Sequence, residues 1–265
     1  MSSAVATRTL LACFLLVWTA SSLACSGSGP VPLDASFADA PSDSPGSQNT
    51  RVLVFTRTLA YRHESIADGV ALISRLAVAN GWRLTRTEEP ATFNDASLAE
   101  FDVTVWLSTT GDVLEEEQQA AFQRYVESGG GFVGVHAASD TEYDWPWYAS
   151  LVGAQFSDHP AIQTATLNVE DATHPASAHL ATTFSWEDEW YNFRENPRAH
   201  VDVLLSVDES SYAGGTMGDH PIAWTHSVGQ GRAFYTALGH SADAYTDPTF
   251  VGHLEGAIGW ARRAP

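Results

Sequence analysis

The sequence predicts an α/β protein built on a doubly wound, mostly parallel sheet, with antiparallel additions in its second half. Between residues 51 and 135, short apolar runs alternate with segments of helical spacing. Parallel neighbours need a crossover connection, and the crossover helices then cover both faces of the sheet. Residues 102–107 form an apolar run of the kind found in strands buried on both faces. Beyond Ala154 strand follows strand, as expected of antiparallel additions joined by long loops.

Residues 51–56 read as the first strand. In 64–80, Ile66, Val70, Ile73 and Ala77 recur at helical spacing until Gly81 stops the helix. Residues 82–87 read as a second strand, 94–100 as a short helix and 102–107 as a third strand. A second long helix spans 115–128, acidic in its first turn and ended by Gly129, Gly130 and Gly131, and the strand 132–135 follows it. Residues 162–169, 201–207, 221–225 and 232–237 read as further strands, with a closing helix over 249–262. Trp82, Trp106, Trp224 and Trp260 are assigned to the core.

Ahead of this domain, Arg8, an apolar run over 10–18 and then small residues have the outline of a secretory signal, too short to span as a membrane helix. Ser22-Leu23-Ala24-Cys25 resembles the lipobox of bacterial lipoproteins, in which the cysteine is lipidated; simple cleavage after Ala24 is the alternative. Residues 1–25 are therefore expected to be a signal with a lipobox-like end, and the protein to be exported and lipid-anchored in the cell envelope. Ser26, where an Asp would favour inner-membrane retention, points to the outer membrane or a periplasm-facing location. Residues 26–50, rich in Ser, Gly, Pro, Asp and Ala, bury too little apolar surface to offset their ordering entropy and read as a tether. Residues 51–265 make one domain.

The chain of 265 residues has a formal charge of -19 and no lysine at all. Phosphate contacts need a positive footprint, so nucleic acid is not an expected partner. The same charge disfavours an anionic membrane surface, leaving the lipid anchor as the one membrane contact. Of the 2 cysteines, Cys13 lies in the signal and Cys25 at its end, so the domain has neither a disulfide nor a thiolate nucleophile.

Ligands of open parallel sheets bind beyond the carboxyl ends of the strands, where the βα loops gather. Arg57, Tyr61, Arg62 and His63 follow the first strand, Ser108 to Asp112 the third, His136, Ser139 and Asp140 the strand 132–135, and Gly239 and His240 the strand 232–237. A lone histidine is usually structural, but several at strand ends can share a pocket. With His159 and Glu189 they form a set suited either to metal ligation or to general acid/base work, without an HxxxH or HExxH spacing to decide. Aromatic residues gather on the same loops: Tyr143, Trp145, Trp147 and Tyr148 in one group, Trp186, Trp190, Tyr191 and Phe193 around Glu187 to Glu189 in the other. Rings beside carboxylates suit sugars, whose C–H faces stack while their hydroxyls pair with acceptors; the plainer alternative is that most are core.

The run Gly134-Val135-His136-Ala137-Ala138, Asp140, Leu151-Val152-Gly153-Ala154 and His159-Pro160 resembles the central motif of the ThuA-like (trehalose utilisation) family. The resemblance continues through His174-Pro175, Asp188-Glu189-Trp190-Tyr191 and the stretch from Pro221 to His240, and Tyr61-Arg62-His63 with Ser65 resembles its first loop. It implies a flavodoxin-like fold similar to class I glutamine amidotransferases, with His136 where their nucleophile cysteine stands. Without a thiol, glutamine amidotransferase activity is not expected, and no G-x-S-x-G serine elbow replaces it.

The family's link to disaccharides and oxidised 3-keto sugars implies a small carbohydrate ligand and a lyase, isomerase or hydrolase; the alternative is a carbohydrate-binding lipoprotein without catalysis. On that reading His136, with Glu189 or Asp140, moves a proton beside a sugar carbonyl. His63, Tyr61, Trp145, Tyr191 and His240 contact substrate, and His159, His136 and His240 are candidates to hold a divalent ion, Zn or Mn. The glycines 129–131 precede a strand rather than open a helix, so NAD is not expected. The oligomeric state is left open.

Overall fold

A computed structural model of the protein describes residues 50–262. The signal, the tether up to residue 49 and Cys25 lie outside the described residues.

The chain runs β1 (Arg51–Phe55), α1 (Ile66–Asn80), β2 (Arg83–Thr87), α2 (Asp95–Leu98), β3 (Val103–Leu107), α3 (Glu116–Glu127), β4 (Gly131–Val135), α4 (Pro146–Val152), β5 (Phe156–Asp158), β6 (Gln163–Val169), β7 (Thr183–Asp188), β8 (Asn192–Phe193), β9 (Asp202–Asp208), β10 (Pro221–Val228), β11 (Gly231–Thr236) and α5 (Pro248–Ala261). Nine strands form one sheet in the order β2-β1-β3-β4-β11-β10-β9-β6-β7. The pairs from β2 to β11 are parallel, and those from β11 to β7 antiparallel. β5 and β8 make a separate antiparallel pair.

Adjacent residues of β3 show the double winding, because successive side chains of a strand point to opposite faces. The Trp106 ring packs against Phe122 of α3 and Tyr148 of α4, at 5.0 Å from each. Leu107, on the other face, closes against Gly69 of α1, as does the ring of Tyr245. Trp106 and Trp224 are fully buried, whereas Trp82 and Trp260 are half-buried at the border of the core. α1 ends at Gly81 in the left-handed region, as the stop signal required. α3 opens with a capping box, in which Glu115 and Gln118 each bond the other's backbone N–H. The glycine run ends α3 and enters β4, where the backbone of Ala261 leaves no room for a Cβ at Gly131.

Four elements depart from the sequence-based expectation. α4 opens at Pro146 and is too short to show helical periodicity. β5 and β8 contain only a few residues each. β7 is the edge strand beyond β6, and its rings Phe184 and Trp186 alternate with Thr183, Ser185 and Glu187, the period of a half-exposed strand.

Candidate functional site

Each histidine of the site leaves its strand by a different turn. His63 stands just before α1 in a loop stitched to the one after β3: Leu59 N–H donates to the Thr110 carbonyl, and the Thr110 hydroxyl donates to the Tyr61 carbonyl, both at 2.8 Å. His136 follows β4 directly with φ +51°, a left-handed backbone that costs a residue with a Cβ and persists only where its surroundings impose it. Here the Tyr235 hydroxyl donates to the His136 carbonyl at 2.9 Å. The His136 Nδ1 lies 2.7 Å from the Ala237 carbonyl, which can only accept, so Nδ1 carries the proton and Nε2 is turned into the site. His240 follows β11 across Gly239, whose φ of +110° belongs to glycine. Glu189 follows β7.

These four meet. His136 Nε2 is 3.2 Å from both His63 Nε2 and His240 Nδ1, and Glu189 Oε2 is 3.1 Å from His240 Nδ1 and 3.5 Å from His136 Nε2. All four ligand atoms lie within 4.8 Å of one another. Tetrahedral bonds of about 2.0–2.1 Å would place donors roughly 3.3 Å apart, so these four contacts match four of the six edges of such a polyhedron. Three imidazoles and one carboxylate suit zinc or manganese, and the Ala237 carbonyl on His136 is the outer partner that a ligating imidazole ordinarily has.

The electrostatics agree with a cationic guest. Burial, then the neighbouring His136 and His240, push His63 down to about 3, so its ring is a neutral lone-pair donor at ordinary pH. Burial opposes ionisation of Glu189, yet interactions with the imidazoles of His136 and His240 outweigh it and hold the carboxyl well below the usual carboxylate range. The hydrogen bond to Glu189 raises His240.

Tyr61, His63, Asp140, Phe156, His159, Glu189, Tyr191 and His240 line a cavity of about 350 Å³. Two larger hollows, of about 580 and 510 Å³, lie away from the four converging groups. Asp140 is raised by burial, against the Tyr143 hydroxyl that donates to it at 2.6 Å. Tyr61, 63% exposed, stands at the rim with its ring edge-on to His63. Tyr191 is buried between Phe156 and His136, with centroids 4.4 Å from each, and forms the floor.

The sequence-based set is thus brought together at the cavity except for Trp145. Trp145 stacks on Trp147 and Tyr148, packed against the core, and does not line the cavity. His159 lies at the cavity but outside the four-atom group: its Nδ1 is 3.1 Å from the other oxygen of Glu189 and 2.9 Å from the Pro160 carbonyl. His63, expected to touch substrate, takes the place in the donor set expected of His159. Phe156 and Asp188 were not foreseen; nothing local marks Phe156, while Asp188 stood beside Glu189 in a stretch read as an acidic-aromatic cluster.

Residues 51–261 match the family described as ThuA, trehalose utilisation. No curated protein matches the chain. A ThuA-like protein from Bacteroides uniformis has a similar structure, with a TM-score of 0.71 at 25% identity over 84% of this chain and 95% of that one. For a ThuA-like protein from Parabacteroides merdae the TM-score is 0.67 at 22% identity, over 81% and 90% of the two chains. With the family matched across nearly all the described residues and the fold shared along almost the full length of both proteins, this chain belongs to the ThuA family.

Proposed function

We propose that the protein binds a divalent cation, Zn or Mn, through His63, His136, His240 and Glu189, and uses the adjoining cavity to carry out acid/base chemistry on a disaccharide or a 3-keto sugar. The observation that carries this is the convergence of four lone-pair groups, from the loops after β1, β4, β7 and β11, with all four ligand atoms within 4.8 Å of one another. A bound cation would supply Lewis-acid polarisation of a carbonyl or hydroxyl oxygen.

The chain's own groups would do the rest. Tyr61 at the rim, with Phe156 and Tyr191 below, offers rings to the C–H face of a sugar, and Asp140 and Glu189 accept from its hydroxyls. Asp140, raised by burial, is placed to hold or release a proton at the cavity wall. His159, with its side chain 41% exposed, touches both solvent and Glu189 Oε1 and suits a proton path out of the cavity.

The deciding experiment is metal analysis of protein purified without chelator, with thermal shift against Zn and Mn and a panel of disaccharides and 3-keto glycosides. About one equivalent of metal and stabilisation by one sugar, near 2.7 kcal/mol at a hundred times Kd, are expected. Metal well under one equivalent after reloading would overturn the metal reading. Stabilisation by a sugar without turnover would assign a binding role.

We also propose export and lipid anchoring at Cys25, on the strength of Ser22-Leu23-Ala24-Cys25. The parent chain should be recovered in the membrane fraction and Cys25→Ser in the soluble fraction; identical fractionation of the two would refute the anchor.

A further inference from the structure

Two groups of the proposed metal set reach it from distant strands. β7, which precedes Glu189, is the last strand of the sheet, four positions from β11, which precedes His240. At about 4.8 Å per strand that separation is roughly 19 Å, and no ladder hydrogen bond joins the two. Yet the end of β7 touches the loop after β11, and the group that makes the contact is Asp188.

Asp188 is 1% exposed and accepts four N–H groups. Oδ1 takes the backbone N–H of Glu189 at 2.9 Å and of His240 at 3.1 Å. Oδ2 takes the backbone N–H of Gly239 at 3.0 Å and the indole N–H of Trp186 at 2.9 Å. A buried carboxylate is costly unless its lone pairs are met by donors, and here the donors include the main-chain groups of both distant residues.

Resting on the proposed metal site, we infer that Asp188 is its positioning residue: by binding the backbone of Glu189 and of His240 with one oxygen, it sets the distance between those two side chains. It does not reach the guest itself; it fixes two of the four groups that do. Gly239 serves the same geometry, since its left-handed backbone turns its own N–H and that of His240 toward one carboxylate.

The test uses the full-length chain and Co2+ as the probe, whose visible absorption reports ligand geometry and whose titration gives affinity. Asp188→Ala is expected to weaken Co2+ binding about 10–100-fold and to shift the visible bands, the range typical of outer-shell partners. Asp188→Asn, of the same volume, keeps one acceptor oxygen but places an amide donor against two N–H groups, and should fall between parent and alanine. Trp186→Phe removes one donor yet leaves both ligand residues anchored, and should bind as the parent does. Parent-like affinity and spectrum in Asp188→Asn and Asp188→Ala would overturn the inference while leaving the metal reading intact. If Asp188→Ala fails to fold, Asp188→Asn set against Trp186→Phe decides; equal binding by those two, both like the parent, would overturn it. A parent chain that takes up no Co2+ would overturn the metal reading and this inference together.

Discussion

The protein contains two groups of buried or half-buried histidines that differ in one respect. At the carboxyl rim, His63, His136 and His240 point ring nitrogens at one another and at Glu189. Beside α5, His174 and His253 are just as buried, but each is committed to the backbone of Ala176: His253 Nδ1–H donates to its carbonyl at 2.7 Å, and its N–H donates to His174 Nδ1 at 3.1 Å. The remaining Nε2 atoms of that pair have no partner. Among the described residues only the rim group forms a candidate metal set. Burial of an imidazole is therefore not what makes a site; convergence of its free lone pair with others, beside a carboxylate, is.

The largest effect that would break this contrast concerns His136, which touches every other member of its group. His136→Ala should abolish stoichiometric metal uptake and stabilisation by metal, read by elemental analysis and thermal shift, with the fold retained because the substitution removes no sheet hydrogen bond. Retention of a full equivalent of metal would erase the distinction between the two clusters.

The opposite behaviour is expected of His253. Burial, against the opposing Ala176 hydrogen bond, pushes its imidazole down to about 4 from 6.5 in the open chain. Between those values the unfolded state binds a proton that the native state does not, so stability is full above pH 6.5 and is lost as the pH falls toward 4. The loss approaches about 1.4 kcal/mol per pH unit, or about 3 kcal/mol in all. Urea unfolding should show this slope in the parent and a flatter one in His253→Gln, with metal content unchanged in both. His63, also depressed by burial, keeps part of the slope in both chains; a slope undiminished by the substitution would mean that His253 does not contribute.

Smaller effects sharpen the boundary of the site. Tyr61→Ala, at an exposed rim position, should weaken sugar binding by about tenfold through lost ring contact while moving stability by less than about 0.5 kcal/mol. Trp145→Ala should leave ligand affinity untouched and cost only packing, read by the same titration and by urea unfolding. Reversal of these two outcomes would move the sugar site toward α4.

The parallel half was legible because its signals are local. The recurrence of Ile66, Val70, Ile73 and Ala77 and the stop at Gly81 are set by residues within a few positions of one another, and α1 occupies the predicted stretch. In the second half, Trp186 of β7 is weighed as part of a carbohydrate surface, although Trp186 and Phe184 alternate with polar residues at strand period. One face of β7 is exposed, so its pattern competes with that of a loop carrying scattered rings. Trp145 was misplaced for a related reason: nothing within one turn of sequence says whether an aromatic at a helix start faces the rim or the core.

By itself the sequence determined the α/β class, the strand ends at which polar residues cluster, and the absence of a thiol from the domain. Only the tertiary structure decided which of those residues meet. His63 and His240 lie 73 and 104 positions from His136, separations across which no periodicity carries distance information. What brings them to 3.2 Å is the order of the strands in the sheet, the left-handed turn at His136 and the turn at Gly239, and these follow from packing of the whole domain. The exchange of His159 for His63 in the donor set has the same origin, since both sit near Glu189 and only backbone direction settles which lone pair faces inward.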